Sequence, residues 1–446
     1  MVARAQNGRR QLLSTGRAGG SRARSTSARW LGSAALCLAV GCGDPSSGGR
    51  RPPPEQPIVR EAQPASSSSG ADGDLQRAAA EVAQLRKLAV LEAIRSVRLP
   101  REALAEKVRF QMVRDTPEEW VEGQTRLLRL LGLVPDDFDY VTAFVRLLEH
   151  QLAGFYDPAQ KTMFVASDLP RLGEQETVIH ELVHALQDQH FRLGAELEAR
   201  LDAPDALTAL HLLAEGDAMS VTLAAQLAAQ GVALERLDER LVAEHLRRSL
   251  EDVHPEMPGI VKRAAVAPYV DGFAFVQALR REGGWARVDE VWKRPPRSTE
   301  QALHPEKYRR DEGWQNLKPL GAGPWSKCRL VHTGMLGEQA LALVLEEWLS
   351  ADDARTTSAG WDGDRASVFD CGSAGEGLVW RLAYDDEASR ETALGTLAQL
   401  WTNCPGDGGP AREVRRIGEE LVLVALGGSG ASCGSLGGWY AALSGE

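Results

Sequence analysis

Apolar residues recur at helical spacing over much of the first two thirds of the chain. Leu85, Leu88, Leu91 and Ile94 predict a helix over 75–99. Thr116-Pro-Glu-Glu119 has the form of a capping box with Pro at the first helical position, and the helix it starts should run to about Leu131. Another is expected over 138–152, stopped at Gly154. The period then shortens. Residues 154–166 read as a β-hairpin, with Asp157-Pro158 in the turn and alternation over 161–166. Helical runs resume at 174–191, 205–229, 234–252 and 270–282, and Ser298-Thr-Glu-Gln301 is a second cap pattern.

The last third has a different texture. A helix is expected at 336–349, strands at 366–370 and 377–384, a helix at 387–401 and a strand at 420–426. The Gly-rich stretch 427–438 lacks the Lys-Ser/Thr ending of a phosphate loop and reads as an irregular loop pinned by Cys433. The pattern predicts the α+β class: a mainly helical domain with a small β-sheet over 74–320, then a small α+β domain over 321–446.

Charge and cysteine usage add a compartment. The net charge of −11 gives no reason to expect a nucleic-acid partner. Residues 1–43 carry seven arginines and no acid, and they lead into the apolar run 30–40, which is too short for a membrane span and suited to a signal-peptide core. Ala39-Val-Gly-Cys42 resembles the bacterial lipobox, with Ala39 where Leu is usual, and that resemblance implies a lipid anchor on Cys42. A cleaved, secreted form is the second reading. The Pro/Ser/Gly-rich stretch 43–73 reads as a disordered tether. Cys328, Cys371, Cys404 and Cys433 then remain, an even number that suggests two disulfides with three possible pairings.

The chemistry centres on His180-Glu-Leu-Val-His184, an H-E-x-x-H motif in a stretch free of Pro and Gly from Glu174 to Phe191. On a helix the two histidines project from one face about one turn apart, so both imidazoles can hold one zinc ion. Glu181 beside them can take a proton from a zinc-bound water. A hydrolytic zinc site needs one more protein ligand and an open position. His190 stands where some zinc peptidases have a last histidine, but the helix-breaking glycine of that pattern is replaced by Gln187. In a continuing helix His190 points about 120° off the metal face. Glu215, in Leu210-His-Leu-Leu-Ala-Glu-Gly-Asp-Ala218, is the stronger candidate, with His211 and Asp217 as its neighbours in contention.

With Glu215-Gly-Asp-Ala218 following the H-E-x-x-H helix, the chain resembles the gluzincin metallopeptidases. Residues 75–310 are also similar to uncharacterised bacterial exported proteins of that type. The resemblance implies a zincin-like catalytic domain, zinc held by His180, His184 and Glu215, Glu181 as general base, and a peptide or protein substrate. It also implies an edge strand above the metal, for which Thr162–Ala166 is the candidate. Tyr269, His304 and Tyr308 are candidates to stabilise the oxyanion. Asp188 and Asp217 are candidates to orient the ligand histidines. The rival reading is a non-catalytic envelope lipoprotein that uses the same scaffold for binding or chaperoning; an intact Glu181 weighs against it.

Overall fold

The computed structural model describes residues 69–444 apart from 170, 229, 254–255, 321–326, 403–409 and 429–430. The expected leader with Cys37 and Cys42, most of the tether, and Cys404 lie outside the described residues. The chain runs α1 (Ser69–Arg86), β1 (Arg95–Leu99), α2 (Arg101–Asp115), α3 (Glu118–Leu130), α4 (Tyr140–Gln151), β2 (Gly154–Asp157), β3 (Thr162–Ala166), α5 (Arg171–Phe191), α6 (Leu193–Glu198) and α7 (Pro204–Ala228). It continues through α8 (Glu239–Val253), α9 (Gly259–Lys293), α10 (Thr299–Leu303), α11 (Pro305–Arg310), β4 (Arg329–Gly334), α12 (Glu338–Leu345) and α13 (Ala351–Ser358). The last elements are β5 (Trp361–Asp370), β6 (Glu376–Tyr384), α14 (Glu387–Trp401), β7 (Ala411–Ile417), β8 (Glu420–Gly427) and α15 (Cys433–Ser444). This is an α+β fold: helices around a three-stranded sheet, then a five-stranded antiparallel sheet in the order β4-β5-β6-β8-β7.

Several expected elements are corrected. The helix expected to reach Leu99 ends at Arg86, where Lys87 turns left-handed at φ 63°. Leu91 is exposed, and Arg95–Leu99 is a strand paired in parallel with β3. That pairing overturns Thr162–Ala166 as an edge: β3 is the central strand, between β1 and β2, and all five of its residues are buried. In α3 the cap position is Pro117, with no side-chain cap bond. The second cap pattern holds, since the Ser298 hydroxyl accepts from the Gln301 amide. Helix α9 begins earlier than expected and passes through Pro268, then kinks at Gly283 and Gly284. The Gly-rich loop expected at 427–438 gives way to α15 from Cys433, which docks through Leu436 and Tyr440.

Two apolar clusters matter for the site. One lies wholly within 79–308 and joins α1, α5, α7 and α9 through Val82, Leu186, Leu213, Phe275, Leu279 and Trp292. The other runs from Leu104 through Phe164 and Phe273 to Leu341, Trp380 and Leu423. It crosses the boundary expected at 320, so the sheet-bearing region shares its core with the helical one. Cys328 is bonded to Cys371, and Cys433 is also in a disulfide. No helix among the described residues is long and apolar enough to cross a membrane.

Candidate metal centre

Helix α5 forms because an unbroken run of helix-compatible residues buries Leu182, Val183, Ala185 and Leu186 on the inside. The same inward face carries His180 and His184. Helix α7 is buried all round from Ala209 to Thr222, as expected of a helix in the centre of a core. Its approach to α9 is set by backbone. A Cβ on Gly216 would stand 2.0 Å from the Gly272 carbonyl oxygen, and a Cβ on Gly272 would stand 2.1 Å from that of Leu212. Only glycine lets these helices lie so close. Glu215 is next to that crossing.

The two helices bring together three atoms able to ligate a metal ion. His180 Nε2 lies 3.1 Å from Glu215 Oε2 and 3.1 Å from His184 Nε2, and His184 Nε2 lies 3.6 Å from Glu215 Oε2. Ligands held about 2.1 Å from a tetrahedral ion stand roughly 3.4 Å apart, so this triangle fits a zinc ion. The two imidazole nitrogens disfavour calcium or magnesium, which take oxygen ligands. All three residues are at most 4% exposed.

Neighbouring groups fix the ligand state. Gln187 Nε2 donates to the Ala214 carbonyl at 3.0 Å, which turns its Oε1 toward His184 Nδ1 at 2.8 Å. An amide oxygen only accepts, so His184 carries a proton on Nδ1 and presents Nε2 to the centre. Burial opposes charge on His184, yet Glu215 holds its pKa up at about 9. Burial likewise opposes charge on Glu215, yet the two imidazoles hold its carboxyl far below the usual range. The triangle therefore favours a positive charge, whether a proton or a metal ion in its place. Burial pushes Glu181 up, while the imidazoles and the Tyr156 amide pull it back. That amide donates to Glu181 Oε2 at 2.7 Å, so β2 is the strand that lies over Glu181.

The remaining candidates separate cleanly. His190 is away from the triangle, with Nε2 donating to the Ala89 carbonyl at 2.7 Å. His211 is buried one turn before Glu215, and burial lowers it to about 4. Asp217 binds Arg86 and Trp292 instead of a ligand, which corrects its expected role as an orienting carboxylate. Asp188 is corrected likewise: it accepts from the Tyr156 hydroxyl and the Gly194 amide. Of the three oxyanion candidates only Tyr269 is beside the centre, its ring 6.0 Å from that of His180. His304 pairs with Glu338 and Tyr308 donates to the Arg294 carbonyl, so neither reaches it. Sequence reasoning missed Gln187 and Tyr156; the one available signal was Gln187 in the place of a helix-breaking glycine.

A second acidic group, Glu300, Glu312 and Asp385, surrounds the Lys307 ammonium and is an ion-pair cluster.

Comparison with known proteins touches the other end of the chain. Residues 329–423 match a domain of unknown function (DUF8575), the stretch from β4 into β8. No curated protein and no solved structure matches the chain.

Proposed function

We propose that this chain is a zinc-dependent peptidase of gluzincin type, carried on the cell envelope by a lipid on Cys42. The observation that supports it most is the convergence of His180 Nε2, His184 Nε2 and Glu215 Oε2 with Glu181 alongside. Zinc held by these three residues would polarise a carbonyl and make water a nucleophile at neutral pH. Glu181 is the base. With Oε2 held by the Tyr156 amide, Oε1 takes the proton from the attacking water and returns it to the leaving amine. Burial raises this carboxyl, bringing it nearer the range where it can both accept and give back a proton. Tyr269 offers a phenol beside His180 to the oxygen on which charge builds. An extended substrate would line up along β2, not β3. The Cys328–Cys371 disulfide supports export, because such bonds persist in oxidising compartments.

The test is cleavage of an unfolded protein by the zinc-loaded chain and by Glu181→Gln. The variant should keep its metal and lose turnover; equal rates would rule out this mechanism. Full zinc occupancy with no cleavage by either would favour the binding or chaperone reading.

A further inference from the structure

Helix α7 is held from a second side. Arg86, the last residue of α1, is fully buried. Its Nε donates to Asp217 Oδ1 at 2.6 Å, and its second arm lies 2.7 Å from Asp289 Oδ1. Trp292 Nε1 donates to Asp217 Oδ2 at 2.9 Å, so both oxygens of Asp217 are engaged. The Arg86 guanidinium also lies 4.5 Å over the Trp285 ring. Trp292 stacks flat on Phe191, the last residue of α5, with centroids 5.1 Å apart. The chain after α1 then returns to α5, where Gln189 Oε1 accepts from the Leu91 and Glu92 amides.

We propose that Arg86 and Asp217 form a positioning clamp for the metal centre: α1 supplies no ligand but fixes the rotation of α7 that presents Glu215. The inference rests on the zinc reading of His180, His184 and Glu215. Two residues along a helix are about 200° apart, so Asp217 is gripped on the side of α7 opposite Glu215. Side-chain tips lie about 5–6 Å from a helix axis, so a rotation of about 20° would carry the Glu215 carboxylate about 2 Å. Metal–ligand distances tolerate about 0.2 Å. A slip too small to unfold anything would therefore break the ligand triangle. The Gly216–Gly272 crossing sets how closely α7 approaches α9, and the Arg86–Asp217 pair grips α7 at a second point.

The experiment measures zinc affinity of the full chain by chelator competition, with the absorption spectrum of the cobalt-substituted protein as a readout of ligand geometry. R86M/D217N removes the fully buried pair and keeps the volume; it leaves only Asp289, which is partly exposed, without its partner, and this limits the stability cost of a lone buried charge. It should bind zinc about 10–100-fold more weakly than the unsubstituted chain, the scale for lost support around metal ligands, with a changed cobalt spectrum and unchanged helical circular dichroism. R86K, whose ammonium lacks the planar fork, should show a smaller loss in the same direction. Wild-type zinc affinity and an unchanged cobalt spectrum in R86M/D217N would overturn the clamp. Should the double variant not fold, R86K decides: weakened zinc binding supports the clamp and unchanged binding overturns it. If the unsubstituted chain takes up no zinc, the metal reading fails and the clamp with it.

Discussion

The helical and sheet-bearing regions each bury a carboxylate completely, and they satisfy it in opposite ways. In β5, Asp364 accepts from the Leu336 and Gly337 amides and from Trp380 Nε1. All three are donors that can do nothing else, and the carboxylate ties β5, β6 and the start of α12 together. In α7, Glu215 faces two imidazole nitrogens, each able to bind a proton or a metal. Asp217, two residues on, is of the Asp364 kind, with an arginine and a tryptophan as partners. Burial alone does not mark a functional carboxylate. The chemistry of its partners does.

This contrast can be broken at several points. The largest effect should come from Glu181→Gln, which lowers turnover by about 10²–10⁴-fold with zinc content unchanged, the range for loss of a general base; steady-state kinetics beside metal analysis checks it. Asp364→Ala should do the reverse, costing about 3–5 kcal/mol of stability in denaturant melts while zinc affinity is unmoved, because it strands a buried indole and two amides. Gln187→Ala should weaken zinc binding about 10–100-fold by releasing the His184 tautomer, read by chelator competition. Gly216→Ala forces α9 off α7 and should cost about 1–3 kcal/mol.

The last effect is one of pH. His332 is buried beside Trp120, and burial lowers its pKa from 6.5 to about 4. The unfolded chain therefore protonates first on acidification. Stability should fall as pH drops from about 6.5 to about 4, by at most about 1.4 kcal/mol per pH unit. His332→Leu should flatten that slope in melts across the range; an unaltered slope would count against a neutral buried imidazole.

The convergence of His180, His184 and Glu215 was legible because it rests on two local patterns, His180–His184 and Glu215–Gly216, each within one helix. Glycine at 216 was readable as part of a motif, but its reason, the Gly272 backbone, lies in another helix. Gln187, Tyr156 and Arg86 act through partners 27, 25 and 131 residues away, which no local period reveals. The same limit explains β1. Leu85, Leu88, Leu91 and Ile94 keep a helical spacing, yet the chain leaves the helix at Lys87 and finds its ladder on β3. Helix α9 was expected only over 270–282, but it starts at Gly259 and the packing of Tyr269 and Phe273 carries it through Pro268. Helix α15 is Gly-rich, and tertiary contacts decide it: the Tyr440 hydroxyl donates to the Glu413 and Val422 carbonyls.

The most direct test of the central claim is the zinc content of the full chain beside Glu215→Ala and Asp364→Ala after equal dialysis. The account predicts one zinc ion per chain in the unsubstituted protein and in Asp364→Ala, and loss of the metal in Glu215→Ala. Zinc retained at full affinity in Glu215→Ala, or no zinc in the unsubstituted chain, would contradict it.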